Sequence, residues 1–226
     1  MNLLDKISKA GSVESTILSE SALIHGSDSI STDIPIINVA FSGDLNGGYT
    51  SGLTVLAGPS KHFKSALALH AMKAYQVKYP DSVCLFYDSE FGITNQYLES
   101  FAINTDKVLH APIKNIEELK FDLVSKLESI NREDKIFILI DSIGNLASKK
   151  EVEDALSEKS VADMTRAKAM KSLFRIITPH LTISDIPLFA IAHTYDTQEM
   201  YSKKIISGCC LIEGTKIQTK DGLKEV

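Results

Sequence analysis

Five short runs of apolar and β-branched residues recur along the chain, and each run ends in polar or small residues. The runs span residues 53–57, 83–87, 108–111, 136–140 and 188–192. They do not alternate between apolar and polar positions, and this continuous pattern is typical of strands that are covered on both faces of a parallel sheet. We therefore expect five buried parallel strands.

Between these runs, apolar residues recur every three or four positions, which is the period of an amphipathic helix. Asn115 and Glu118 can cap one such helix, and its apolar stripe consists of Ile116, Leu119, Leu123, Val124, Leu127 and Ile130. A second pattern predicts one long helix from about residue 152 to residue 177, ending near Pro179. Strands that alternate with helices predict an α/β fold with a doubly wound, mostly parallel sheet.

The two ends of the chain break this alternation. Residues 1–32 are polar and rich in serine, with a weak apolar pattern, and predict a separate helical arm. After Gly208 the composition changes, and residues 216–219 and 223–226 predict a β-hairpin around a tight turn at Asp221-Gly222. We therefore divide the chain into an N-terminal arm (1–32), a core (33–209) and a C-terminal hairpin segment (210–226).

Composition narrows the class of protein. Of 226 residues, 44% are apolar and 23% are charged, which suits a globular core and excludes collagen, disorder and coiled coil. No apolar run approaches the roughly 18 residues that span a bilayer, so we expect a soluble, cytoplasmic protein with no membrane partner. The three cysteines, Cys84, Cys209 and Cys210, give neither an even disulfide set nor a paired zinc spacing, as is usual in a reducing compartment. With a net charge of −5, any DNA site would be a local basic patch.

Residues 58–65 read Gly-Pro-Ser-Lys-His-Phe-Lys-Ser and lie between the first predicted strand and a helical pattern that starts at Ala66. The backbone N–H groups of such a loop bind phosphate, while Lys64 and the Ser65 hydroxyl suit terminal phosphates and Mg²⁺. The GxxxxGKS pattern has a glycine where this chain has Phe63, so the match is a relaxed one. An ordinary turn between a strand and a helix is the alternative.

Polar side chains follow three other predicted strands. Asp141 stands where an acid can hold Mg²⁺ through water. Asp88 and Glu90 end another run, and a carboxylate there can orient an attacking water. His193 follows the fifth run. Because ligands bind at the carboxyl ends of the strands in an open α/β sheet, we expect these residues to converge on the 58–65 loop. The alternatives are a capping role for Asp141 and a structural role for His193.

These residues resemble the RecA family of recombinases and, within it, the phage branch. The resemblance rests on segments 30–65, 84–97, 141–147, 163–168 and 193–203, and it covers most of the chain up to about Gly208. The phage branch shares the Phe-Lys-Ser form of the loop, which makes Phe63 a trait of the subfamily. The resemblance implies a RecA-type P-loop ATPase core with a mostly parallel sheet.

The resemblance also implies a role for each site residue. ATP would be bound by Gly58, Pro59, Ser60, Lys61, His62, Phe63, Lys64, Ser65, Tyr97 and His193. Within this set Tyr97 would stack on adenine, and His193 would replace a glutamine that senses the γ-phosphate. Ser65 and Asp141 would hold Mg²⁺, and Glu90 would activate water as the catalytic carboxylate.

Single-stranded DNA and further copies of the chain are the implied partners. The candidate DNA contacts are Lys149 and Lys150 in a first loop near 149–160, and Lys203 and Lys204 in a second loop at 194–208. The following helix would add positive charge through Arg166, Lys168, Lys171 and Arg175, with an ordinary solvated helix face as the alternative. The arm would pack on a neighbouring copy and so build a helical filament.

The C-terminal segment resembles the start of an intein, which opens with Cys-Leu and continues to a threonine, an isoleucine and a turn. Cys210 would be the first intein residue, and its thiol would attack the carbonyl of Cys209. The expected partner is a complementary C-terminal polypeptide that carries the rest of the intein and of the recombinase, joined by trans-splicing. A chance hairpin on a truncated recombinase is the alternative.

Together these patterns predict the N-terminal precursor part of an ATP-dependent DNA strand-exchange recombinase that acts in phage recombination, repair and replication. When complete, it would be a DNA-dependent ATPase. One alternative is a truncated nucleotide-binding or filament-interaction module without turnover. Another is a different P-loop enzyme, such as a small-molecule kinase.

Overall fold

The computed structural model describes residues 3–13, 15–21, 23, 28–157, 165–196, 204–206, 216–219 and 222–225. The helices of these parts are α1 (Leu3–Ser8), α2 (Pro35–Ser42), α3 (Lys64–Lys78), α4 (Asn95–Ser100), α5 (Ile116–Glu128), α6 (Lys149–Leu156) and α7 (Thr165–Ile183). The strands are β1 (Gly52–Gly58), β2 (Val83–Asp88), β3 (Val108–Pro112), β4 (Ile136–Asp141), β5 (Pro187–Asp196), β6 (Lys204–Ile206), β7 (Lys216–Thr219) and β8 (Gly222–Glu225).

The central sheet has the order β1-β5-β4-β2-β3, and all four pairings along this path are parallel. All five predicted strands are therefore confirmed as parallel strands. The prediction that each is buried is wrong for the two edge strands, because β1 is only partly buried and Leu109 of β3 is exposed. The register sets Gly58 opposite His193 and Asp88 opposite Asp141. Gly58, Asp88 and Asp141 are the last residues of their strands, whereas β5 continues beyond His193. The polar residues that follow the apolar runs thus share one edge of the sheet, as the sequence predicts.

Helices cover both faces of the sheet, which explains why the strands carry continuous apolar runs. One core lies between the sheet and helices α5 and α7, and it includes Leu119, Leu123, Ile138, Leu173 and Ile177. The other core lies on the α3 side and includes Leu69, Met72, Phe86, Phe137 and Phe189. The two cores cover the central strands from both sides, and the carboxyl ends of these strands carry the polar residues of the candidate site.

Helix α5 begins as the sequence predicts. The Asn115 side chain accepts a hydrogen bond from the backbone N–H of Glu118 at 2.8 Å, which satisfies one of the free N–H groups of the first turn. The Glu118 carboxylate accepts from the backbone N–H of Lys114 at 2.9 Å rather than from that of Asn115. Ile130, predicted as the last residue of the apolar stripe, lies beyond the end of the helix but still packs on the core.

The long helix predicted from about 152 to 177 is wrong in two respects. Its N-terminal part is a separate helix, α6, and its C-terminal part, α7, starts at Thr165. Helix α7 also continues through Pro179 to Ile183. Leu181 beyond the proline is fully buried, so packing of the last turn offsets the backbone hydrogen bond that the proline cannot donate.

Replacing the exposed Pro179 with alanine is therefore expected to stabilise the chain by about 1–2 kcal/mol, because alanine restores the missing hydrogen bond. Urea unfolding of the parent and the variant measures this difference. Thr182→Ala on the same exposed turn is the matched control, and we expect a change of less than about 0.5 kcal/mol for it. Unchanged or lower stability of Pro179→Ala would show that the proline fixes the path of the last turn.

The ends of the chain agree only in part with expectation. The described part of residues 1–32 contains the short helix α1 and a 3₁₀ turn at Leu18–Glu20, and apolar side chains such as Leu3 and Ile7 are exposed. Ile30 is buried in the core on the α3 side and pairs with Tyr49, so the last residues of this segment pack on the core rather than on a separate arm. Strands β7 and β8 form an antiparallel pair. Gly222 pairs with Thr219 and is the first residue of β8, so its predicted place in the turn is wrong, while Asp221 lies outside the described residues. The assignment of this strand pair to an intein stays a prediction.

No helix in the described parts of the chain has the length and apolar character needed to cross a bilayer.

Candidate functional site

The loop between β1 and α3 adopts a backbone that favours glycine at two positions. Phe63 has φ 55° and ψ 17°, and Lys61 has φ 62°, so both residues lie in the left-handed region. The glycine of the usual GxxxxGKS pattern would occupy the Phe63 position without strain. The Phe63 side chain is 79% exposed, so no core contact explains its presence. The loop therefore keeps its shape at an energetic cost.

Phe63→Gly is expected to stabilise the protein by about 0.5–1 kcal/mol, because glycine adopts the left-handed conformation at no steric cost. Phe63→Val serves as the matched control, and the β-branched side chain should lower stability by about 1 kcal/mol. Urea unfolding of both variants measures the two effects. A Phe63→Gly protein less stable than the parent would show that the aromatic ring contributes packing.

Lys64 is the first residue of α3 and is only 7% exposed. Its Nζ atom donates a hydrogen bond to the carbonyl oxygen of Pro59 at 2.7 Å and lies 3.5 Å from Nδ1 of His193. The pKa of Lys64 is lowered overall, because the effect of burial exceeds the opposing effect of the nearby carboxylates of Glu90 and Asp141. The ammonium group thus lies inside the loop, where an anion could replace the Pro59 carbonyl.

Ser65 and Asp141 meet at the carboxyl edge of the sheet. The Ser65 hydroxyl donates to Oδ2 of Asp141 at 2.7 Å, while Oδ1 of Asp141 is buried and has no hydrogen-bond partner. The pKa of Asp141 is raised to about 6, mainly by burial and also by the charges of Glu90 and Asp88, while the hydrogen bond from Ser65 and the charge of His193 act in the opposite direction. A buried carboxylate oxygen without a partner, next to a hydroxyl, fits a hydrated Mg²⁺ ion.

Glu90 follows β2, and two side chains hold its carboxylate. The Ser142 hydroxyl donates to Oε1 at 2.5 Å, and Nε2 of His193 lies 2.6 Å from the same oxygen. Burial raises the pKa of Glu90, but the hydrogen bonds from Ser142 and His193 and the charge of Lys64 outweigh this and lower it overall. Glu90 is therefore an ionised carboxylate in contact with His193.

His193 connects the catalytic candidate Glu90 to the loop lysine. Since its Nε2 faces a carboxylate, Nε2 carries a proton, and Nδ1 faces the ammonium of Lys64. The sequence predicts that β5 ends at this residue, which is wrong. Strand β5 continues to Asp196 and pairs antiparallel with β6, so His193 lies within a strand that leads to the second predicted DNA segment.

Serine residues fix the ends of β2 and β4 to each other. The Ser89 hydroxyl donates to the carbonyl of Ser142 at 2.7 Å and accepts from the Ser142 N–H at 3.0 Å. The Asp141–Ser142 peptide bond is cis. Sequence reasoning missed Ser142, because a serine after a strand carries no signal until the β2–β4 register places it beside Glu90.

Tyr97, the predicted adenine contact, lies in the first turn of α4, and its ring is 40% exposed. The ring packs edge-on against Phe101 at 5.1 Å between centroids, and Phe101 packs in the same way against His70 of α3 at 5.0 Å. Through Phe101 the Tyr97 ring on α4 is therefore packed next to α3, the helix that follows the phosphate loop. Stacking on adenine stays a prediction.

The four lysines predicted to contact DNA lie in different kinds of structure. Lys149 and Lys150 lie in the first turn of α6 rather than in a loop, because Ser148 and Glu151 form a capping box there. Lys203 lies outside the described residues, and Lys204 is the first residue of β6. The capping box explains why the loop prediction fails at 149–156.

Arg166 is not a free positive charge, contrary to the sequence prediction. Its Nε donates to the carbonyl of Leu146 at 2.7 Å, and its terminal nitrogen contacts the carbonyls of Ile143 and Gly144. The guanidinium thus ties α7 to the segment that follows the Asp141 end of β4. The side chains of Lys168, Lys171 and Arg175 on the same helix are exposed.

A parallel sheet with a phosphate loop between β1 and α3, and with a buried acid at the end of β4, defines the class of P-loop nucleotide-binding proteins. Residues 2–194 match the RecA N-terminal domain, and the chain belongs to the RecA family. This confirms the resemblance found in the sequence at the level of the family.

Curated relatives agree with this assignment. The chain is 51% identical over 208 residues to the recombination and repair protein of Enterobacteria phage T4, which covers 92% of this chain and 53% of the relative. It is 30% identical over 149 residues to Protein RecA of Synechocystis sp., covering 65% of this chain and 40% of that protein. Protein RecA of Mycoplasma mycoides subsp. mycoides SC is 29% identical over 134 residues. The chain thus spans about half the length of the phage T4 relative.

Proposed function

We propose that the protein is an ATP-dependent DNA recombinase of the UvsX type, which acts in phage recombination, repair and replication in the cytoplasm of the infected cell. The observation that carries this proposal is the convergence of Lys64, the Ser65–Asp141 pair and the Glu90–His193 pair at one edge of the sheet. The likeness to a phage recombination and repair protein supports it. In this proposal residues 33–209 form the ATPase core and residues 1–32 the oligomerisation arm.

ATP would lie on the loop from Gly58 to Ser65, with its terminal phosphates at the N-terminus of α3. Lys64 would exchange its contact with the Pro59 carbonyl for the β- and γ-phosphates, since a charged partner binds an ammonium more strongly than a carbonyl does. Ser65 and Asp141 would hold Mg²⁺. When bound, Mg²⁺ neutralises phosphate charge.

Glu90 would accept the proton of the attacking water. Its carboxylate is ionised, and the contacts from Ser142 and His193 both fall on Oε1, which leaves Oε2 to meet the water. His193 would sense the γ-phosphate, because it lies between Glu90 and Lys64 and continues along β5 to β6.

Single-stranded DNA would lie near α6 and the β5–β6 pair. Lys149, Lys150, Lys203 and Lys204 remain the proposed phosphate contacts, and the first two are presented by the capped turn of α6. The exposed apolar side chains of the arm would pack on the next protomer of a helical filament.

Two experiments test the proposed activity. Equilibrium titration with a fluorescent ATP analogue and Mg²⁺ should detect nucleotide binding by the chain, and Lys64→Ala should weaken it at least tenfold, since a charged contact is lost. The complete protein should hydrolyse ATP faster when single-stranded DNA is added. Binding without hydrolysis would favour the module without turnover, and phosphate transfer to a metabolite without DNA would favour a small-molecule kinase.

We also propose that residues 210–226 are the N-terminal part of an intein, with Cys210 as the splicing nucleophile and a complementary C-terminal polypeptide as the partner. The Cys-Leu start and the following strand pair support this proposal. Attack of the Cys210 thiol on the carbonyl of Cys209 would replace the peptide bond with a thioester, and the proton would pass to the released amine.

The source genome decides this second proposal. It should contain another reading frame that encodes a C-terminal intein half followed by the remaining recombinase segment. Co-expression of both frames should give a ligated product that lacks residues 210–226, measured by mass spectrometry. Cys210→Ala should prevent ligation, while Cys209→Ala should permit it. The absence of such a frame, or ligation that survives Cys210→Ala, would refute the assignment.

A further inference from the structure

Asp88, at the end of β2, holds the backbone of the segment that carries Glu90. Its side chain is 3% exposed, and its Oδ1 accepts hydrogen bonds from the N–H groups of Glu90 at 3.0 Å and of Phe91 at 2.7 Å. Phe91 has φ 56°, a left-handed conformation that is costly for a residue with a side chain. Its own ring is 62% exposed and contributes little packing. The two hydrogen bonds to Asp88 therefore offset the cost of this conformation.

His110 of β3 holds the other oxygen of the same carboxylate. Its Nε2 lies 3.2 Å from Oδ2 of Asp88, so this nitrogen donates to the carboxylate. The register pairs His110 with Phe86, two residues before Asp88 on the same face of the sheet, and the two rings pack at 5.3 Å between centroids. Phe86 thus fixes the imidazole in the orientation that reaches Asp88.

The contacts of Asp88 differ in kind from those of Ser142 and His193. Ser142 and His193 contact the carboxylate of Glu90, whereas Asp88 contacts its main chain. A cap on the end of a strand needs only one carboxylate oxygen. The half-exposed histidine on the second oxygen fixes the rotation of the Asp88 carboxylate and hence the place from which Glu90 projects.

Resting on the proposed function, we propose that His110 and Asp88 are positioning residues for the catalytic carboxylate Glu90. His110 holds Asp88, Asp88 holds the main chain of residues 90 and 91, and Glu90 alone meets the water. Because small misplacements of a reacting group lower rates strongly, loss of His110 should lower kcat and leave the KM for ATP unchanged.

Amide hydrogen exchange on the 226-residue chain tests the anchoring without any ATPase activity. His110→Ala should speed exchange at the amides of Glu90 and Phe91 at least fivefold, whereas the amides of β2 keep their protection. His110→Gln, whose side-chain N–H can reach the same place, should restore protection. The control is Leu109→Ala, at a 57% exposed side chain on the same strand. Unchanged exchange at residues 90 and 91, or a uniform rise throughout β2, would overturn the proposal.

Steady-state ATP hydrolysis by the complete protein tests the consequence. We expect kcat of His110→Ala to fall roughly tenfold at constant KM, and His110→Gln to recover to within about twofold of the parent. A kcat equal to that of the parent, or a raised KM at constant kcat, would overturn the positioning role. An inactive parent would instead refute the proposed function, and the exchange data would then decide the anchoring alone.

Discussion

Glu90→Gln is expected to abolish ATP hydrolysis by the complete protein while nucleotide binding persists. The amide keeps the size of the side chain and can still accept hydrogen bonds from Ser142 and His193, but it cannot take a proton from water. Loss of a general base lowers rates by roughly 10²- to 10⁴-fold. Steady-state hydrolysis with single-stranded DNA, together with equilibrium binding of a fluorescent ATP analogue, measures both parts of the prediction.

Glu128→Gln, at the exposed end of α5, is the matched control for this change and should leave hydrolysis as it is. The prediction separates the two main functions considered for the chain. A recombinase loses turnover in Glu90→Gln, whereas a binding module has no turnover to lose. Hydrolysis by Glu90→Gln at a rate near that of the parent would show that another group activates the water.

Asp141→Asn is expected to stabilise the protein in the absence of nucleotide and Mg²⁺ by about 3 kcal/mol at neutral pH. The cause is the burial of the carboxylate, which raises its pKa from an ordinary 3.8 to about 6, so that ionisation at pH 7 costs about 3 kcal/mol. The amide carries no charge, and its oxygen can still accept the Ser65 hydroxyl. Urea unfolding in the presence of a chelator measures the difference.

The gain should depend on pH with a definite sign. The folded state holds the proton on Asp141 more tightly than the unfolded state does. The contribution of Asp141 to the free energy of unfolding therefore falls as the pH rises and is lowest above pH 6. The stability of the parent relative to Asp141→Asn should fall as the pH rises from about 4 to 6, and the difference should vanish below that window. A difference that stays constant with pH would show that Asp141 titrates normally.

Asp141→Asn should weaken the binding of Mg²⁺ and nucleotide even though it stabilises the empty protein. If Asp141 helps to hold Mg²⁺, the parent gains stability from Mg²⁺ and nucleotide by mass action, and Asp141→Asn gains much less. The same substitution should therefore raise the melting temperature without ligand and reduce its rise with ligand. Equal ligand-induced shifts in both proteins would argue against a metal-binding role. A site that destabilises the empty protein is a common cost of function.

The sheet was predictable because continuous runs of apolar and β-branched residues are typical of strands in a covered parallel sheet. Helix α5 was predictable too, because its apolar residues recur every three or four positions and Asn115 caps its first turn. Helix α7 was not, because a proline normally ends a helix, and only the burial of Leu181 after assembly explains why this one continues. Local signals fail where tertiary packing is decisive.

The residues of the candidate site also include some that could be identified from the sequence and some that could not. Lys64 could be identified from the loop pattern at 58–65, and Glu90, Asp141 and His193 from their places after apolar runs. His110 and Arg166 could not be assigned from the sequence, because their partners are set by register and by tertiary contacts. Nothing in the pattern of β3 says that His110 lies diagonally across from Asp88. Nothing in α7 says that Arg166 turns back to main-chain carbonyls.

The contacts of Arg166 bear on how DNA binding should respond to ionic strength. Each lysine or arginine that neutralises a DNA phosphate releases condensed counterions, and the slope of log affinity against log salt concentration counts such residues. The guanidinium of Arg166 is already engaged by the carbonyls of Ile143, Gly144 and Leu146. To contact a DNA phosphate, this arginine would have to release these carbonyls, so in the proposed complex we expect it to add less to the slope than the exposed basic side chains of the same helix. The number of basic residues on α7 therefore overestimates the number of phosphate contacts that the helix can make.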